Sequence, residues 1–185
     1  MKVVAIIPAR GGSKRLKRKN IYPIWGQPMV YWAIKACKES RYNIIPWVST
    51  EDDEIKTVAT ECGANIHNRE QSLSEDHVYK QAAIRSAADH IFQTTEKPDI
   101  IISLQANSPQ VTAKMLDNAI DIMLEYSRSE VFSVDSNLMQ NAAFRVFRGE
   151  YVFQKDLSTN CGVVMCELHD VHTIEDIKIL ENGGR

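Results

Sequence analysis

No apolar run in this chain is long enough to cross a bilayer, which takes about 20 predominantly apolar residues as a helix. The apolar start, MKVVAIIPAR, is interrupted by Pro8 and Arg10. It has neither the length nor the flanks of a signal peptide, so a cytoplasmic protein is expected. Cysteine is scarce. Cys37, Cys62, Cys161 and Cys166 form no C-x-x-C pair and no zinc spacing with neighbouring histidines. They read as buried, reduced thiols. A strong net charge is missing too: the formal value is −2 over 185 residues. Without an overall basic balance or an aromatic-rich basic surface, a nucleic-acid-binding role is not expected. There is no internal repeat and no linker. With 44% hydrophobic and 25% charged residues, the composition excludes a low-complexity or disordered chain.

The length suits one α/β domain spanning residues 1–185 and is too small for two comfortable ones. Apolar runs alternate with amphipathic stretches, which predicts βαβ units and a three-layer, mainly parallel sheet. Residues 2–9 read as a buried first strand. A helix follows over 28–39, where Val30, Ala33, Ile34 and Cys37 recur at helical spacing. Residues 44–49 read as a second strand, with Pro46 pushing it towards an edge or bulge. A helix over 52–62 is expected to be capped by Thr50 or by Glu51–Asp52 and ended by Gly63. Further helices are read over 78–92, over 112–126 with Thr112 as cap, and over 174–181 with Thr173 as cap. The continuous apolar run at 99–105 predicts a central parallel strand. Short strands are read at 131–134 and 162–167, and a β-hairpin over 143–153 turning at Arg148–Gly149. Residues 182–185 are expected to fray.

Charge is unevenly placed. Between Arg10 and Lys19 stand Arg10, Lys14, Arg15, Lys17, Arg18 and Lys19, with no acid among them. A local basic patch on a near-neutral protein points to a small anionic ligand. The patch directly follows the first strand. Gly11 and Gly12 allow close backbone approach to a phosphate. Arg10, Lys14 and Lys19 can neutralise a triphosphate and stabilise a departing pyrophosphate. The loop has neither the Walker A order nor the G-x-G-x-x-G fingerprint. On physical grounds alone it reads equally as a phosphate cradle or as a solvated basic turn.

The stretch Pro8-Ala9-Arg10-Gly11-Gly12-Ser13-Lys14, then Lys19-Asn20, then Gly26-Gln27-Pro28-Met29, resembles the signature of the acylneuraminate cytidylyltransferases (CMP-sialic acid synthetases). Later segments follow in the family's order: Val48-Ser49-Thr50-Glu51-Asp52, Asn68-Arg69-Glu70, Leu104-Gln105-Ala106-Asn107-Ser108-Pro109, and Asp170 to Asp176. The resemblance implies a nucleotide-diphospho-sugar transferase type of α/β fold. It also implies transfer of CMP from CTP to an acidic 2-keto sugar, with release of pyrophosphate. By the same resemblance, Arg10 and Lys19 contact the phosphates, and Ala9, Gly11, Gly12, Ser13 and Lys14 belong to the nucleotide loop. Asn20, Arg69 and Gln105 would hold the base and ribose. Gln105 also has a physical warrant, as an amide at the C-terminal end of a central strand. Asp76 fits the family's L-A-S-D segment or, equally, a helix start.

Three departures stand out. The family's D-x-D pair, which supplies carboxylates to Mg2+, is Asp170-Val171-His172 here; Asp170 remains a candidate ligand, and an imidazole is a poor substitute for the second. His169 completes an H-D-x-H cluster that does not amount to a transition-metal site. The S-P-L-R continuation is Ser108-Pro109-Gln110-Val111, without the arginine. The acceptor and dimerisation region is compressed to about 135–160, leaving Arg145, Arg148, Tyr151 and Lys155 as contacts for a sugar carboxylate and leaving open a homodimer. A nucleotidyltransferase of another base specificity and a non-catalytic nucleotide-binding relative are the alternatives.

Overall fold

The computed structural model describes residues 1–155 and 158–184. Its core is a seven-stranded sheet in the order β5–β4–β1–β6–β8–β7–β9. These strands are β1 (Val3–Pro8), β4 (Ile45–Thr50), β5 (Asn65–Asn68), β6 (Ile100–Leu104), β7 (Glu130–Val134), β8 (Gln140–Arg148) and β9 (Cys161–Met165). All neighbouring pairs are parallel except the two made by β8. A two-stranded ribbon, β2 (Pro23–Ile24) with β3 (Gln27–Pro28), lies apart from the main sheet. Its two turn residues, Trp25 and Gly26, have φ of 49° and 74°. Tight hairpins need positive φ at both positions, which accounts for the glycine there.

Why β1 and β6 are apolar throughout follows from the layers. Side chains alternate along a strand, so both faces must be buried. Val3, Ala5, Ile7, Ile100, Ile102 and Leu104 pack on one face beneath α1 (Met29–Lys38), α2 (Asp53–Glu61) and α4 (Ala113–Glu125). Val4, Ile6 and Ile101 pack on the other beneath α3 (Lys80–Thr94) and the 3-10 turn Gly149–Phe153. Burying each isoleucine stabilises the fold by about 1.5–3 kcal/mol. A third cluster holds α5 (Ile174–Gly183) to the outer side of α1, where Ile177 and Leu180 meet Met29 and Trp32.

The helix ends follow local chemistry. Asp52 caps α2 by accepting from the N–H groups of Glu54 and Ile55, each at 3.0 Å. Thr112 caps α4, and Thr173 with Asp176 forms a reciprocal capping box on α5. Gly63, at φ 82°, follows α2.

Four expectations change. Pro46 lies in an interior strand, opposite Ala5 of β1. Pairing with β5 begins only at Trp47, so the proline sits where β4 has one neighbour, and its missing N–H interrupts no second ladder. Residues 143–153 are not a hairpin: Arg148 ends β8, and a 3-10 turn follows. The hairpin is β7–β8 instead, with its turn over 135–139, where Asp135 accepts from the N–H groups of Asn137 and Met139. Strand β5 was not foreseen because its sequence, NIHN, carries one aliphatic residue. The C-terminal segment is helical to Gly183, and Arg185 lies outside the described residues.

Candidate active site

The C-terminal ends of β1, β4 and β6 lie side by side, and the segments leaving them enclose a cleft of about 460 Å³. Open α/β sheets place ligands at this end. Arg10, Ser13, Lys14, Lys19, Asn20, Arg69, Gln105 and His172 line it. The structure therefore gathers residues spread over most of the chain into one wall.

The basic loop is held by specific contacts. The N–H of Ala9 donates to Ser49 at 3.0 Å, tying the end of β1 to β4. Buried Asn20 donates from Nδ2 to the carbonyl of Arg10 at 2.8 Å, which fixes the backbone beneath that arginine. Gly11 donates its N–H to Glu51 Oε1 at 2.7 Å, and Ser74 donates to the other Glu51 oxygen at 2.6 Å. A Cβ on Gly11 would lie 2.9 Å from the Cβ of Asp52. Gly11 thus permits the loop to close on the N-terminus of α2. Ala9 is fully buried, and Gly12 has open space around its Cα. Ala9, Gly11 and Gly12 do not line the cleft; they shape the loop behind it.

Cations dominate the wall. Burial lowers the pKa of Lys19, as do Arg15 and Arg10, while Asp170 opposes them. Arg10 pairs with Asp76 at 2.9 Å and donates to the carbonyl of Ser74 at 3.2 Å; Lys14 also pairs with Asp76. Asp76 is not a helix start, since α3 begins at Lys80. Its carboxylate is held below the usual range by Lys14 and Arg10. Arg69, 7% exposed, donates to the Oγ and carbonyl oxygen of Ser49. Gln105 donates from Nε2 to the carbonyl of Ala142 at 2.7 Å, so half of its amide serves the start of β8 while the residue still faces the cleft.

The segment 169–173 reaches the site through β6. Asn107 donates from its side chain to Val171 at 3.2 Å and accepts from the Val171 N–H at 2.8 Å. Ser108 donates to Asp170. Asp170 therefore stands just behind the wall, where its charge acts on Lys19 and Lys80. His172 has Nδ1 3.2 Å from Arg15, and burial together with Lys19 and Arg15 lowers its pKa. It is thus neutral at neutral pH and accepts from Arg15. His169 turns away to Asp176 at 2.8 Å. Among the described residues no group of three His, Cys, Asp or Glu side chains converges as a metal site. Magnesium commonly uses one or two carboxylates with substrate phosphates and waters. Asp170 fits the first kind of site, and His172 does not extend it.

The four compressed-region candidates separate. Arg145, paired with buried Glu130 at 2.9 Å, lines a second pocket of about 170 Å³ with Ser103, Phe132 and Phe144. Arg148 donates to the carbonyls of Arg128 and Met123 and so ties the end of β8 to α4 and the segment that follows it. Tyr151 and Lys155 are exposed and line neither cavity. Lys80, Asn107 and Glu51 were not foreseen as site residues. Glu51 and Asn107 stand inside the quoted motifs, but Lys80 belongs to none.

The sequence pattern of the cytidylyltransferase family matches residues 4–161, which ends before Asp170 and His172. N-acylneuraminate cytidylyltransferase A of Danio rerio is 35% identical over 132 residues, covering 71% of this chain and 30% of that protein. The chain spans less than a third of that relative's length. Among solved structures, CMP:2-keto-3-deoxy-manno-octonic acid synthetase complexed with CTP superposes with a TM-score of 0.77 at 15% identity, over 98% of both chains. Rv0371c of Mycobacterium tuberculosis H37Rv, in complex with manganese, does so with a TM-score of 0.68 at 12% identity, over 100% of both chains. At such identities the two structures speak for the fold, and the sequence match decides the membership: the chain belongs to the cytidylyltransferase family.

Proposed function

We propose that this protein transfers CMP from CTP to an acidic 2-keto sugar of the sialic acid type, releasing pyrophosphate. The observation that carries the reading is the convergence of Arg10, Lys14, Lys19 and Arg69 on one cleft at the C-terminal strand ends. The anomeric hydroxyl of the acceptor forms a new O–P bond at the α-phosphorus. The bond from that phosphorus to the bridging oxygen breaks, pyrophosphate leaves with the electron pair, and the hydroxyl proton passes to solvent. Such chemistry depends on positioning and charge stabilisation.

In this reading Arg10, Lys14 and Lys19 hold the β- and γ-phosphates and stabilise the leaving pyrophosphate. Asn20 keeps Arg10 in place, and Arg69 and Gln105 face the base and ribose. Asp170 would hold Mg2+, which when bound neutralises part of the triphosphate charge. The small pocket beside the cleft suits the acceptor, with Arg145 as the group for its carboxylate. Asp76 pairs with the same cations that the phosphates need, so nucleotide binding displaces it.

The test is pyrophosphate release by the purified chain with Mg2+, each of CTP, UTP, GTP and ATP, and a panel of 2-keto sugar acids. Release with CTP alone is expected. Equal release with another triphosphate would replace the base assignment. A second reading, a nucleotide-binding relative without turnover, is favoured by His172, which stands two residues after Asp170 and adds no second oxygen ligand beside it. It predicts calorimetric CTP binding with no release for any acceptor.

A further inference from the structure

Lys80 is the residue common to the two cavities. The 460 Å³ cleft and the 170 Å³ pocket share it and no other lining residue among those described. It opens α3, where the helix dipole disfavours a cation. No acid stands in that first turn, and no carboxylate lies within ion-pairing distance of the ammonium among the described residues. Asp170 influences it from the cleft side and Arg145 from the pocket side. Lys80 is exposed, so its ammonium is solvated, and with no paired acid it is free to meet anionic ligands that enter from either cavity.

We infer that Lys80 is a catalytic residue at the meeting point of the two substrates, donating to a non-bridging α-phosphate oxygen on one side and to the acceptor's carboxylate on the other. The assignment rests on the functional reading above. It separates Lys80 from Arg10, Lys14 and Lys19, which lie on the cleft alone. A donor aimed at the reacting phosphorus contributes to the transition state more than to binding of the ground state.

Two measurements test this. The first is amine-selective acetylation of the intact protein, followed at Lys80, Lys14 and exposed Lys114 by mass spectrometry. CTP with Mg2+ alone and N-acetylneuraminic acid alone are each expected to protect Lys80. Lys14 should be protected only by CTP, and Lys114 by neither. The second is steady-state kinetics. Lys80→Ala should lower kcat about 100-fold while KM for CTP changes less than about threefold, with Lys80→Arg recovering part of the loss. Protection of Lys80 by CTP only, or a Lys80→Ala effect confined to KM for CTP, would make it one more member of the triphosphate cradle and overturn the inference. Unchanged labelling in the presence of CTP shown to bind by calorimetry would overturn it as well. If calorimetry shows no nucleotide binding at all, it is the functional reading that fails, and this assignment falls with it.

Discussion

The two sides of the sheet differ in how they were built. On the β5–β4–β1–β6 side all strands run parallel, each returns through a helix, and the loops at one end carry the cations. On the β8–β7–β9 side an antiparallel strand is wedged between two others, the β7–β8 pairing shifts register between Phe132 and Val134, and the pocket is smaller. The first side repeats one local unit, so its residues declare their places by period and spacing. The second breaks that unit. Its β6–β8 pairing spans fewer residues than the β1–β6 pairing, which joins Val3 to Ile100, but β8 enters antiparallel and no local period announces where it will lie. The proposed nucleotide side therefore sits in a regular frame, whereas the proposed acceptor side is shaped by the β6–β8 pairing.

If that pairing holds the second side together, Phe144→Ala should have the largest effect. Phe144 is 1% exposed and lies opposite Leu104. The loss should be about 3–5 kcal/mol in urea unfolding. A single transition at a lower midpoint would make the sides one cooperative unit; loss of the pocket with the global midpoint unchanged would make them separable.

The division of labour is probed next. Arg10→Ala should reduce kcat/KM for CTP about 100-fold, equivalent to about 2.7 kcal/mol, with Lys19→Ala comparable. Arg145→Ala should instead raise KM for the sugar acid and leave that for CTP within about threefold. Reversed KM effects would exchange the roles of the two sides.

Within the nucleotide side, Gly11→Ala should destabilise by on the order of 2 kcal/mol, because its methyl group meets Asp52, while Gly12→Ala should be nearly silent. Thermal melts of both variants check this, and equal costs would mean the loop does not close on α2.

A pH test addresses the same side. Burial, then His90 and Arg69, push the pKa of buried His67 down to about 4. The unfolded chain takes up this proton near pH 6.5, before the folded one does, so stability is full above about 6.5 and falls as pH drops towards 4. The loss attributable to this group should be on the order of 1–2 kcal/mol, and His67→Gln should flatten that part of the Tm–pH curve. An unchanged slope would move the effect to other groups.

The smallest change is expected from His172→Asp, which adds an oxygen ligand near Asp170. It should raise turnover several-fold at limiting Mg2+ and little at saturation. Identical magnesium dependence would show that one carboxylate suffices.

Much of the frame was legible from particular residues. The uninterrupted apolar runs of β1 and β6 require burial on two faces, and Asp52, Thr112 and Thr173 mark helix starts through side-chain oxygens that reach free N–H groups. Arg10, Lys14, Lys19, Asn20, Arg69 and Gln105 stood in ordered motifs and now line one cleft. Ala9, Gly11 and Gly12 stood in the same motif and instead shape the loop behind it. Residue type alone cannot tell a glycine that admits a ligand from one that admits a neighbouring helix. The misread hairpin has a similar origin, since Arg148–Gly149 is compatible with a tight turn and with the start of a 3-10 turn.

By itself the sequence determined the layers, the helix boundaries and the charge of the nucleotide loop, because these depend on periodicity and chemistry within a few residues. Tertiary structure alone decided that β8 would divide β6 from β7, that Glu51 would hold Gly11, that Ser108 would hold Asp170, and that Lys80 would stand between two cavities. Each joins groups far apart in the chain, and only packing the strands and helices around the cores on both faces of the sheet brings them within reach.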